Sequence, residues 1–291
     1  MSKIIKLDIG NEYYPDRLRK IENPPKSIYV IGNIEILNNV GIAIIGSRKN
    51  TQYGEKWCNY FTEKLIEYDL NIISGMALGI DSIAHNTSLI NGGKTIAVLP
   101  SGFENIYPKE NFELFEKILS SGGAIISEYT PDYIKTSKSC LERNRIVSGL
   151  AIATLVIEAG VISGTSVTAK YTKQQGKYVF CIPGALDNKK SMGTNKLIKE
   201  GAILVTEIKD ITEKFNFLKQ KTVKQNMKTY NVKNEYLEIY KLLENKPTDI
   251  ENIIKKSGFS ANEVMSKITM MELEEYIKLL PGNKVVKINE K

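Results

Sequence analysis

Residues 139 to 151 read SCLERNRIVSGLA, and the apolar run IATLVIEAG follows at once. Arg143 and Arg145 bracket Asn144 just ahead of a segment apolar enough to be a buried strand. A guanidinium donates two parallel hydrogen bonds to a phosphate or carboxylate, so this pair suits the capture of an anion. The alternative use is internal, with one arginine bonding Glu158 at the end of the apolar run. Groups for covalent or acid–base chemistry are sparse by comparison. His85 is the sole histidine and sits in GIDSIAHNTSL, on a helix expected to pack against a sheet, where it reads as a core or capping residue. Cys58, Cys140 and Cys181 lack CxxC spacing, which gives neither a disulfide framework nor a zinc site and points to a reducing compartment. No His/Cys/carboxylate cluster has metal spacing, and no Ser/His/Asp or Cys/His constellation can be assembled. Glu158 is the one carboxylate placed for hydrolysis; its other reading is an acceptor for backbone or for an arginine of the opening motif. The expectation is a binding protein with no metal and no cofactor, not an enzyme.

Charge supports an anionic partner. The net charge of +7 is unevenly spread: residues 135 to 199 hold 11 Lys/Arg against 3 Asp/Glu, whereas residues 1 to 134 hold 13 against 16. Residues 209 to 233 add 7 against 2, and residues 234 to 291 balance at 9 against 10. Basic patches of this kind meet polyanions or serve as solvated faces. Charges interrupt every apolar stretch of MSKIIKLDIGNEYYP, so the start of the chain reads as neither signal peptide nor membrane anchor, and a cytoplasmic location is expected.

The elements that must position these residues follow one phrase from Gly41 onward: a β-branched run, a Gly/Ser turn, a segment of helical period. The runs are GIAIIG, NIISG, TIAVLPSG, AIISE, ATLVIEAG, YVFCIPG and AILVT. Such alternation implies βαβ units and a doubly wound, mostly parallel sheet, with ligands bound beyond the carboxyl ends of the strands. The turns at that edge hold Gly46, Ser47 and Arg48; Ser74, Gly75 and Gly79; Ser101 and Gly102; and Ser163, Gly164 and Thr165. Small residues there let backbone N–H groups approach an anion; alternatively they are ordinary turns and caps. Neither a G-x-G-x-x-G fingerprint nor a Walker A motif is present, and Arg48 stands where a glycine would admit a pyrophosphate.

Four segments are expected: a lead-in over 1–40 that packs on the sheet, a Rossmann-like domain over 41–215, a basic linker over 216–233, and a winged-helix domain over 234–291 with a Pro-Gly turn in its wing. The presumed recognition helix, 261–275, carries one lysine against four glutamates, poor chemistry for a major groove and better suited to protein contact.

With these residues assembled, the chain resembles the DNA-processing protein A family (DprA, also called Smf). The resemblance spans Tyr14 to Thr206 and rests on YPDRLRKIENPPKSIYVIGN, AIIGSR, SGMALGIDSIAH, GGKTIAVLPSG, IISEY, RNRIVSGLA, VIEAGVISGTSVTAK and PGALD…SMGTNKLIKEGA in the family's order. It implies an extended Rossmann-like domain that binds single-stranded DNA and helps a RecA-type recombinase load on it during uptake and recombination of incoming DNA, and it implies a homodimer. Mapped here, Arg143 or Arg145 meets a phosphate, Asn144 braces the loop, and Arg48, Lys138 and Lys170 complete the rim. Cys140-Leu141 stands where the family commonly has Phe-Pro, which removes a base-stacking ring at that place, and only about a dozen residues precede YYP, where many members have a helical domain. Two other readings use the same crevice: a sensor of a small nucleotide, and a hydrolase of nucleoside monophosphates. The PGGxGTxxE loop of that hydrolase group is replaced by EAGVISGTSVTA, without its double glycine or its glutamate.

Overall fold

The computed structural model describes residues 3–161, 163–220, 233–243, 247–274 and 276–287, in two compact units, 1–222 and 223–291. The first unit runs β1 (Ile5–Asp8), α1 (Asp16–Arg19), β2 (Ser27–Gly32), β3 (Gly41–Ile45), α2 (Gln52–Ile66), β4 (Asn71–Ser74), α3 (Ile80–Ile90), β5 (Thr95–Leu99), α4 (Phe112–Ser120) and β6 (Ala124–Ser127). It continues through α5 (Ser137–Glu142), α6 (Asn144–Leu150), β7 (Ala153–Val156), α7 (Gly164–Gln174), β8 (Tyr178–Cys181), α8 (Met192–Lys199), β9 (Ile203–Leu204) and α9 (Lys209–Thr212).

Nine strands form one sheet in the order β1-β2-β6-β5-β4-β3-β7-β8-β9. Neighbours from β6 to β9 are parallel, and β1 and β2 extend the β6 edge in antiparallel pairing. The lead-in therefore adds two strands to the sheet as well as a helix packed on it. Every residue of β3 is buried, because helices cover both faces. Ile42 and Ile44 pack with Phe61, Leu65 and Ile72 on one face, while Ala43 and Ile45 pack with Val98, Val147 and Val156 on the other. The two-residue period of the strand thus feeds two separate cores.

Strand order reverses beside β3: from there the chain winds through β4, β5 and β6 in one direction and through β7, β8 and β9 in the other. A reversal of this kind parts the loops at the carboxyl ends of β3 and β7 and leaves a crevice between them. Two of the flanking helices start on side-chain caps: Thr51 accepts from Gly54 N ahead of α2, and Ser163 accepts from Ser166 N ahead of α7.

The second unit holds α10 (Leu237–Leu242), β10 (Thr248–Asp249), α11 (Ile250–Ser257), α12 (Ala261–Leu273), β11 (Ile277–Leu280) and β12 (Lys284–Lys287), a winged helix around Ile239, Ile253, Val264, Ile268 and Val285. Gly258 ends α11 in the left-handed conformation, and Ser260 with Glu263 forms a capping box for α12. The expected basic linker falls largely on residues 221–232, outside the described residues.

Candidate functional site

The carboxyl ends of β3 to β8 enclose a cleft of about 600 Å³. Its floor is Ile45, Gly75, Asp81 and Val147; Gly46, Ser47, Arg48 and Lys49 line it after β3, Ser163, Gly164 and Thr165 at the start of α7, and Lys190 after β8. On the β5 and β6 side stand Tyr107, Lys135, Ser137, Cys140 and Leu141. Thr165 Oγ1 donates to Gly46 O at 3.0 Å and so ties the start of α7 to the end of β3 across the point where strand order reverses.

Of the residues expected at the site, the fold brings together Gly46, Ser47, Arg48, Gly75, Arg143, Asn144, Ser163, Gly164 and Thr165. The two arginines do not stand free at the rim. Arg143 is 5% exposed and donates to the carbonyl oxygens of Gly75 and Val98 and to Asn144 Oδ1. Burial lowers its pKa and raises that of Asp81, each opposed by the other's charge. Arg145 points elsewhere and pairs with Glu128 at 2.6 Å. Asn144 Nδ2 donates to Gly164 O at 3.2 Å and holds the first residue of α7. The RNR motif is thus a brace under the cleft, and the positive charge open to a ligand comes from exposed Arg48 and Lys49 and from partly buried Lys135 and Lys190.

Other expected positions lie outside the cleft lining. Ser74 is buried and donates to Ile44 O at 2.6 Å. Ser101 is buried, and Gly102 N donates to Tyr133 O at 2.9 Å, which spends that amide on a loop. Gly79, at φ 79°, sits so close to Ser47 O and Arg48 that a Cβ would collide with them, so it shapes the loop from behind. Lys138 is exposed beside Glu142 at 3.6 Å. Lys170 lines a separate hollow of about 310 Å³ with Lys173 and Lys196.

Sequence reasoning missed Lys49, Tyr107, Lys135 and Lys190. Lys49 adjoins Arg48 and was legible as a second cation. The other three come from loops after β5, β6 and β8, and nothing in their local spacing links them.

Glu158 does not bond an arginine of the opening motif. Its carboxylate is 1% exposed and accepts from Thr51 N at 2.9 Å and Thr51 Oγ1 at 2.5 Å. It therefore anchors the loop that carries Arg48 and Lys49, with its negative charge at the start of α2, and it is not presented to a ligand for acid–base work. His85 is fully buried, with Nδ1 on Thr95 Oγ1 at 2.6 Å. Among the described residues no group of three His, Cys, Asp or Glu could hold a metal ion, and no helix is long and apolar enough to cross a membrane.

Comparison with known proteins agrees with this architecture. Residues 6–216 match the family model described as DNA recombination-mediator protein A, and residues 226–283 match the DprA winged helix domain. Protein Smf of Escherichia coli (strain K12) is 34% identical over 281 residues, spanning 94% of this chain and 75% of that protein. DNA processing protein DprA of Streptococcus pneumoniae is 36% identical over 215 residues, 74% of this chain and 76% of its own length. Its X-ray structure superposes with a TM-score of 0.70 over 74% of this chain and 75% of that one. DNA processing protein A from Helicobacter pylori, solved for insight into its single-stranded DNA binding mode, superposes with a TM-score of 0.65 at 30% identity, covering 72% of this chain and 95% of that one.

Proposed function

Because the chain belongs to the DNA recombination-mediator protein A (DprA/Smf) family, we propose that it binds single-stranded DNA in the cleft beside β3 and β7 and there helps a RecA-type recombinase load on incoming DNA. The observation that carries this reading is the junction of exposed Arg48 and Lys49 with the N-terminus of α7 at the reversal of strand order. The N-terminal end of a helix favours a phosphate, and the side-chain cations favour the next ones along a strand. The single-strand binding named for the Helicobacter pylori relative supports the same partner.

In this reading the phosphate contacts are Gly46, Ser47, Arg48, Lys49, Ser163, Gly164, Thr165 and Lys190. Arg143 and Asn144 act beneath them as positioning residues. The protein works as a binding mediator in the cytoplasm, not as a catalyst, and as the homodimer that the family resemblance implies. The buried, bonded state of Glu158 disfavours a hydrolase.

A labelled short oligonucleotide tests the reading by fluorescence anisotropy. A single strand is expected to bind and its duplex to bind far more weakly; equal binding of both, or displacement of the strand by micromolar ATP, would replace this reading by a small-nucleotide sensor. Recombinase loading is checked separately, as faster filament growth on single strands coated with single-strand-binding protein. Light scattering checks the dimer.

A further inference from the structure

We propose that Tyr107 is the base-stacking platform of the cleft, an inference that rests on the single-strand reading above. The sequence has Cys140-Leu141 where the resemblance would place an aromatic ring, which leaves that place without a stacking surface. The fold supplies a ring from another loop. Tyr107, after β5, is the one aromatic side chain among the described residues that line the cleft.

The cleft has two chemically different sides, set by strand order. Loops after β3, β7 and β8 contribute Ser47, Arg48, Lys49, Gly164, Thr165 and Lys190, all polar, cationic or bare backbone. The segments after β5 and β6, on the other side of β3 in the sheet, contribute Tyr107, Cys140 and Leu141, the last 45% exposed, together with Lys135 and Ser137. A single strand presents the same division: phosphates along one edge, unpaired apolar base faces along the other. In a duplex those faces are already stacked and paired, so a ring in this position selects for single strands.

Lys135 Nζ lies 4.2 Å from the centroid of the Tyr107 ring. This contact shows that a ring face accepts a flat-on cationic or π partner. A base replaces it face for face, and the ammonium on its flexible stem moves to the adjoining phosphate. Stacking of this kind is tolerant of base identity, since every base has a π-face.

The test compares wild type, Tyr107→Ala, Tyr107→Leu and Tyr107→Phe on two probes, an oligothymidylate of about twelve nucleotides and an abasic strand of the same length. Tyr107→Ala and Tyr107→Leu are expected to weaken oligothymidylate binding about tenfold and leave the abasic strand within about twofold of wild type. Tyr107→Phe keeps wild-type affinity for both. Unchanged oligothymidylate binding in the Ala variant, or equal loss on both probes, overturns the proposal. Should the Ala and Leu variants not fold, a strand carrying 2-aminopurine decides with wild type alone: emission falls on binding if the base stacks, and a rise overturns the proposal. A wild type that binds neither probe overturns the single-strand reading itself, whereas a wild type that binds both equally overturns stacking alone.

Discussion

Arg143 and Asp81 hold Gly75 between them: the guanidinium donates to the carbonyl oxygen of Gly75, and the carboxylate accepts from its N–H at 3.1 Å. Both side chains are buried, so each charge depends on the other and on the backbone around it. A Cβ on Gly75 would lie 2.6 Å from guanidinium atoms, so any side chain there would push Arg143 out of its place.

Replacing Arg143 by Ala takes the opposing charge from buried Asp81, which keeps its bonds from Gly75 N and Ala77 N, and leaves two carbonyl groups without their donor in the interior. The expected loss is about 3 kcal/mol, visible as a lowered urea midpoint with an unchanged slope. Trp57 is the sole tryptophan and lies in α2, so its emission reports this unit by itself. An Arg143→Ala variant as stable as wild type but defective in DNA binding would make Arg143 a direct phosphate contact.

Thr51 and Glu158 make a second brace. Removing the carboxylate with Glu158→Ala leaves Thr51 N without its acceptor and frees the loop holding Arg48 and Lys49. Stability is expected to fall by about 2 kcal/mol, and single-strand affinity to fall with it. Glu158→Gln keeps one acceptor and recovers part of both. Hydrolysis of a nucleoside monophosphate by wild type, abolished in Glu158→Gln, would contradict this bracing role.

His85 gives a pH signature. Burial, aided by the charge of Arg143, pushes its pKa down to about 3, against an ordinary value near 6.5. Between these values the unfolded chain takes up a proton that the folded unit refuses, so stability is full above about pH 6.5 and declines as pH falls. With no other histidine in the sequence, the loss from pH 7 to pH 5 should be about 2 kcal/mol. His85→Gln should flatten that slope, and parallel wild-type and variant profiles in urea titrations would show the proton is taken up elsewhere.

The fold was legible because its signals are local and repeated. Each of GIAIIG, NIISG and ATLVIEAG is β-branched, ends in a small residue and is followed by a helical period, which is all a βαβ unit requires. The antiparallel β1 and β2 were less so, since IKLD is short and mixed. At the site, residue type was legible and direction was not. The ERNR stretch announced paired guanidiniums, but whether a side chain points to solvent or beneath a loop depends on the turn between α5 and α6, and there Arg143 turns inward. Tyr107 and Lys135 meet only because β5 and β6 are neighbours, a relation between loops that no spacing in the chain records.

Cutting the chain after residue 222 tests the division of labour between the two units. The described part of the second unit carries no run of cations longer than Lys255-Lys256, and α12 holds Lys267 against Glu263 and Glu272. Residues 1–222 should retain most of the single-strand affinity. Collapse of binding with an unchanged monomer–dimer equilibrium would place the main contact in residues 223–291.

Salt decides whether a strand or a single small nucleotide occupies the cleft. Arg48, Lys49, Lys135 and Lys190 are four lining cations, and each phosphate they neutralise releases condensed counterions. For single strands log K then falls against log[salt] by about 0.7 per contact, so four contacts give a slope of roughly −3. A mononucleotide offers too few charges to produce this. Replacing Arg48, Lys49 and Lys190 together by Ala leaves Arg143, Asp81 and Glu158 in place, so the unit should stay folded while the slope flattens to roughly −1. Homopolymers of different sequence should bind within about tenfold of one another, because backbone contacts and stacking both tolerate any base. Anisotropy titrations of labelled dT and dC oligomers from low to moderate salt read both quantities. A wild-type slope near zero, or an unchanged slope in the triple variant, would move the strand to another surface, the hollow around Lys170 being the next to test.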